Sequence, residues 1–146
     1  MNRVKITDNF YLDEFIDPAT YAARGTSSIE LLDMRIVMGI QYLREQSGRV
    51  ITINNWATGG QYKESGLRRF DTKTGAKWSQ HKYGRAIDTK WQGWTIKQAF
   101  DFVVSHQNYL IDRQLITTIE NISATPTWLH LDCRYTGMDK FKIVNP

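Results

Sequence analysis

The chain has 146 residues, 41% hydrophobic and 23% charged, with 19 Lys+Arg against 15 Asp+Glu and a net charge of +4. This balance excludes a disordered or fibrous chain, and the length suits a single domain spanning residues 1–146. Cys133 is the only cysteine, which excludes an internal disulfide and a cysteine-based metal cluster, so any metal must be held by imidazole and carboxylate groups.

The N-terminal stretch lacks an apolar signal-peptide region, and nowhere does a run of ~20 apolar residues occur. A protein made and kept in the cytoplasm, with no membrane span, is expected. Phe10, Leu12 and Phe15, set around Asp13 and Glu14, predict a short anchor onto the core that ends where Asp17-Pro18 breaks regular structure. Ser27-Ser28-Ile29-Glu30 reads as a capping-box start. Ile29, Leu32, Ile36, Ile40 and Leu43 then recur at helical spacing up to Gly48, which predicts one helix of about five turns.

Val50-Ile51-Thr52-Ile53 is β-branched and reads as a strand. From Asn54 to Ser79 there is little periodicity, and a connection of that length is usually functional. Arg85 to Trp91 predicts a second strand, and Thr95-Ile96-Lys97-Gln98 opens a second helix that runs to about His106. Leu115–Glu120 and Thr127–Asp132 complete the strands. The expected fold class is α+β, a small antiparallel sheet flanked by two main helices.

Chemistry concentrates in two places. Ser79-Gln80-His81-Lys82-Tyr83-Gly84-Arg85-Ala86-Ile87-Asp88 sets a histidine in a polar turn and an aspartate on the following strand. On the last strand the two-residue period sends His130 and Asp132 to one face and Leu129, Leu131 and Cys133 to the other. Two imidazoles, one carboxylate and an open fourth position make a catalytic zinc site, whereas a structural site usually has four protein ligands.

The run from Ser79 to Asp88 resembles the Ser-x-His-x-x-Gly-x-Ala-x-Asp motif of zinc D-Ala-D-Ala carboxypeptidases and the related L-alanyl-D-glutamate endopeptidases of phage lysins. Trp128-Leu129-His130-Leu131-Asp132 is similar to that family's closing strand, and Phe10–Phe15 takes part in the likeness. The resemblance implies one Zn²⁺ per chain held by His81, Asp88 and His130, hydrolysis of a peptidoglycan stem peptide, and action at the bacterial cell wall after release. Such an enzyme also needs an acid that takes the proton from water and passes it to the leaving amine.

Glu120 and Asp132 are the candidates for that acid. In one common family pattern it stands three residues before the last histidine, where this chain has Thr127. Arg68, or its neighbour Arg69, falls where the family carries an arginine able to bind a substrate carboxylate or a developing oxyanion, and Ser79 and Gln80 are candidate polar contacts for substrate.

A non-catalytic, metal-containing phage structural or wall-binding module of the same fold is the alternative reading. Lys63, Arg68, Arg69, Lys73, Lys77, Lys82 and Arg85 form a basic stretch, but no nucleic-acid docking motif accompanies it, so peptidoglycan is the expected partner, nucleic acid is not, and the protein is expected to be a monomer.

Overall fold

The computed structural model describes residues 1–145. The fold class is α+β. Among the described residues the helices are α1 (Pro18–Arg24), α2 (Met34–Ser47), α3 (Ile96–Ser105) and α4 (Gln107–Asp112). The strands are β1 (Ile51–Thr52), β2 (Ala86–Trp91), β3 (Thr118–Glu120), β4 (Leu129–Asp132) and β5 (Lys142–Val144), arranged β1-β2-β4-β3-β5. The first three pairings are antiparallel and β3–β5 is parallel, so the sheet is mixed rather than purely antiparallel. β5 has three residues, Ile143 is half exposed, and no alternating pattern marks it in the sequence. No helix among the described residues is long and apolar enough to cross a membrane.

The long helix expected from Ser27 is shorter. Gly25–Leu31 forms 3-10 turns, Leu32 is extended, and α2 starts after Asp33, whose side chain accepts from the Arg35 backbone N–H at 3.1 Å. The Asp33 N–H donates to the Gly84 carbonyl at 3.0 Å, which pins the break, and Ile29 is consequently exposed rather than facing the core. Asp17-Pro18 does not end structure but begins α1. Asp17 accepts from the Thr20 N–H at 3.0 Å, and proline takes the first helical position, where its missing donor costs nothing.

α3 has the expected capping box between Thr95 and Gln98. α4 follows after a single residue, His106, whose Nδ1 donates to the Phe102 carbonyl at 2.9 Å. The strands read as Val50–Ile53, Leu115–Glu120 and Thr127–Asp132 shorten to their paired portions.

The core lies between the sheet and α2, α3 and α4. Ile36, Val37, Ile40 and Leu43 of α2 pack with Val103, Leu110, Ile87, Ile119, Leu129, Leu131 and Cys133, all buried. Burial pushes the Cys133 thiol up to about 12, which makes it a packing residue without nucleophilic character. Trp91 is likewise core, stacked on Trp94 at 5.6 Å. The opposite side chains of β2 and β4 are polar and carry the candidate site.

Apart from a 3-10 turn at Trp56–Thr58, residues 54–79 are held by individual hydrogen bonds instead of regular structure. Asn54 donates to the Ile16 carbonyl at 3.2 Å and accepts from the Ser65 N–H at 2.8 Å. Leu67 N–H donates to Phe15 O at 2.7 Å and Asp88 N–H to Ser65 O at 2.7 Å, so this connection ties the N-terminal anchor to β2.

Gly84 ends the turn before β2 at φ +66°, and a Cβ there would stand 2.0 Å from the Leu31 carbonyl oxygen. Gly84→Ala therefore combines left-handed backbone strain of ~1–3 kcal/mol with a clash against backbone. A loss of at least about 2 kcal/mol in urea unfolding is expected.

Candidate metal centre

Antiparallel register brings the two halves of the site together. Asp88 on β2 pairs directly with His130 on β4, and neighbouring side chains across such a pair share a face. His81 arrives from the 3-10 turn Gln80–Tyr83, which Gly84 closes back toward β2. His81 Nε2 and His130 Nδ1 stand 3.2 Å apart, and Asp88 Oδ1 lies 3.2 Å from the first and 3.0 Å from the second. Metal ligation is thus open to all three expected residues at one point.

The remaining atoms of these side chains are spoken for. His81 Nδ1 donates to the Gly66 carbonyl at 2.8 Å, which fixes the tautomer and leaves Nε2 with its lone pair facing the cluster. His130 Nε2 donates to Asp132 Oδ2 at 2.9 Å. Asp132 is in turn gripped by Arg134, whose Nε and Nη2 donate at 2.9 and 2.5 Å. Asp88 Oδ2 accepts from Arg68 Nη2 at 2.7 Å. A partner that orients each metal-binding group from behind is the usual companion of a metal site.

The protonation states follow from these contacts. Burial lowers the His81 pKa and keeps that ring neutral. For His130 burial also acts to lower it, but the hydrogen bonds to Asp132 and Asp88 prevail and raise it to about 9. Asp88 stays well below the ordinary carboxylate range because the two imidazoles and their hydrogen bonds outweigh its burial. Without metal, therefore, one proton on His130 Nδ1 is shared by Asp88 Oδ1 and His81 Nε2. Three converging donor atoms served by a single proton fit a cation, and the donor set of two nitrogens and one carboxylate oxygen suits a divalent one.

A cleft of about 630 Å³ opens over the cluster, with Glu120, Gln80, Arg134 and the exposed indoles of Trp78 and Trp128 in its walls. Continuing the β3–β4 register by one residue sets Glu120 opposite His130. Burial raises the Glu120 pKa, the adjacent His130 charge opposing it. Asp132 lies behind His130, fully buried, and its hydrogen bonds to His130 and Arg134 hold it well below the ordinary range against its burial. The two candidate acids thus occupy opposite environments, and only Glu120 lines the cleft.

Arg68 borders the cleft, and its Nε donates to the Glu64 carbonyl at 2.6 Å and its Nη2 to Asp88, so it also positions the carboxylate of the cluster. Arg69 is exposed and paired with Asp71 at 2.6 Å, outside the cleft over the cluster. Ser79 and Gln80 both line the cleft, and Gln80 Oε1 is buried without a hydrogen-bond donor among the described residues. Thr127 is exposed in the bend before β4. The basic stretch is not a continuous patch: Arg68 and Arg69 are ion-paired, Lys82 is buried, and Arg85 lies 3.8 Å from Asp33.

Two participants escape a reading of sequence motifs. Gly66 acts through a backbone carbonyl, which no residue type announces. Arg134 was open to detection, since it follows Asp132 by two positions, the same spacing that pairs His130 with Asp132.

Compared with protein-family models, curated proteins and solved structures, the chain matches none. The family resemblance accordingly rests on the motif residues themselves.

A metal must displace the proton on His130. Below pH ~9 apparent affinity should rise about tenfold per pH unit and then level off, with one proton released per ion bound, as measured by calorimetry in buffers of different ionisation enthalpy. Asp132→Asn, which weakens the partner behind His130, should lower metal affinity by about 10- to 100-fold while three ligands remain, as read by competition with a chromophoric chelator.

Proposed function

We propose that the protein is a zinc-dependent peptidase that hydrolyses peptide bonds in the peptidoglycan stem peptide, with His81, Asp88 and His130 as metal ligands. The observation that carries this reading is the convergence of three lone-pair donors, each oriented from behind, at the floor of a cleft that also holds a buried glutamate. Tetrahedral ligands at ~2.0–2.1 Å from a common ion stand about 3.3–3.4 Å apart. The donor separations of 3.0–3.2 Å approach that value, and a set with two imidazole nitrogens disfavours calcium, which takes oxygen ligands. Zinc also suits two neutral imidazoles with one carboxylate.

When bound, such an ion supplies Lewis acidity at the cleft floor. The chain's own residues do the rest. Glu120, its carboxyl raised by burial, takes the proton of the attacking water and returns it to the leaving amine nitrogen. Gln80 Oε1 accepts an N–H from the substrate peptide, and Trp78 and Trp128 flank the bound chain with apolar surface. Asp132, Arg134, Arg68 and the Gly66 carbonyl keep the ligands in place.

The similarity of Ser79–Asp88 and Trp128–Asp132 to the wall-peptidase motifs supports peptidoglycan as substrate and the cell wall as the place of action, in the manner of a phage endolysin. Zinc-loaded protein incubated with purified stem peptides should release products at one bond, identified by mass spectrometry as D-Ala-D-Ala or L-Ala-D-Glu cleavage. Glu120→Gln should keep one zinc per chain and lose turnover by about 10²–10⁴-fold. His130→Ala should lose the metal. A fully loaded wild-type protein that cleaves neither bond would overturn the peptidase reading in favour of a non-catalytic module that keeps the metal.

A further inference from the structure

A second cavity, of about 710 Å³, lies apart from the metal cluster between α1 and the segments 67–71 and 82–83, and Arg68 borders both cavities. Its walls are largely apolar, built from Ala19, Leu31, Leu67, Phe70 and Tyr83. Phe70 is 65% exposed and stands edge-on to Tyr83 at 5.5 Å, and Leu31 is 38% exposed, so an aromatic and an aliphatic side chain face a space that none of the other described residues fills. Cavities of this size hold small organic molecules.

The charges on this wall are nearly all neutralised where they stand. Arg24 pairs with Glu30 at 2.9 Å, Arg69 with Asp71 at 2.6 Å, and Arg68 with Asp88 at 2.7 Å. Asp71, the acid on the lining, is held below the ordinary range chiefly by its hydrogen bond to Arg69, with the more distant Lys82 charge a smaller contribution. Lys82 differs from the others. It is 7% exposed, its Nζ has a single long hydrogen bond to the Phe70 carbonyl at 3.4 Å, and no carboxylate lies within 4.0 Å of it among the described residues. A lysine this deeply buried ordinarily has an anionic partner, because an unpaired buried charge is costly.

We propose that this cavity is a binding site for a small carboxylate with an apolar body, its carboxylate paired with the Lys82 ammonium and its hydrocarbon or aromatic part against Leu31, Leu67, Phe70 and Tyr83. Lys82, the lining cation with no carboxylate within salt-bridge distance among the described residues, sets the sign of the ligand, and the apolar walls set its character. The site is independent of the peptidase reading, since none of the metal-binding side chains lines it.

The test is a titration of ¹⁵N-labelled zinc-loaded protein with octanoate, with octylamine and 1-octanol as charge controls, followed by amide shifts. Saturable octanoate shifts centred on Ala19, Leu31, Phe70 and Tyr83, with octylamine at least about tenfold weaker, are expected from a charge-assisted hydrogen bond. Lys82→Met keeps the apolar stem and should weaken octanoate by about tenfold with zinc content unchanged. Phe70→Ala, at an exposed side chain, serves if the lysine variant does not fold, and should also weaken octanoate. Absence of saturable shifts, equal binding of octylamine, shifts centred on Trp78 and Trp128 instead, or wild-type octanoate affinity in a folded Lys82→Met or Phe70→Ala protein would each overturn the proposal.

Discussion

The Asp88 carboxylate organises this molecule. One oxygen meets both imidazoles of the cluster and the other accepts from Arg68, while the backbone N–H of the same residue donates to Ser65. A buried carboxylate is costly unless donors surround it; here they are His130 on β4 and Arg68 in the long 54–79 connection, and the neutral His81 ring from the turn before β2 meets the same oxygen across the shared proton. Satisfying one side chain therefore draws three separate stretches of chain to one point. That is why a connection with almost no regular structure can still be closely held: its hydrogen bonds end on the core-anchoring segment at one side and on the site at the other.

Environment separates the two acids near His130. Glu120 and Asp132 sit on adjacent strands within one polar region, yet the first is dominated by desolvation and the second by ion pairing with Arg134 and His130. Desolvation favours the neutral acid and ion pairing favours the carboxylate, so the pair divides into a group suited to carrying a proton and a group suited to fixing a ring. The sheet register produces this division, because it sets Glu120 across from the histidine while alternation along β4 tucks Asp132 behind it.

The two cavities have complementary deficits. Over the metal cluster, three lone pairs converge with one proton among them, a site short of positive charge. In the second cavity the buried Lys82 has no carboxylate within salt-bridge distance among the described residues, because Asp71 is paired with Arg69, and the site is short of negative charge. The two are joined through Arg68, which borders both, and through adjacent residues His81 and Lys82, of which the first faces the cluster and the second the other cavity.

Much of the local structure was legible from residue order alone. The periodicity of Ile36, Ile40 and Leu43 marks α2, the Thr95–Gln98 pair marks the start of α3, and the β-branched run before Trp91 marks β2, because each depends on contacts within a few residues. The alternation that turns His130 and Asp132 away from Leu129 and Leu131 is equally local, and the motif spacing was enough to nominate His81, Asp88 and His130. What the sequence could not decide depended on distant partners: the break of the long helix at Asp33, held by the Gly84 carbonyl; the parallel β5, whose three residues carry no pattern of their own; the commitment of Arg68 to Asp88; and the contrast between Glu120 and Asp132. Hydrogen bonds and desolvation act across space rather than along the chain, so these features exist only once the strands are in register.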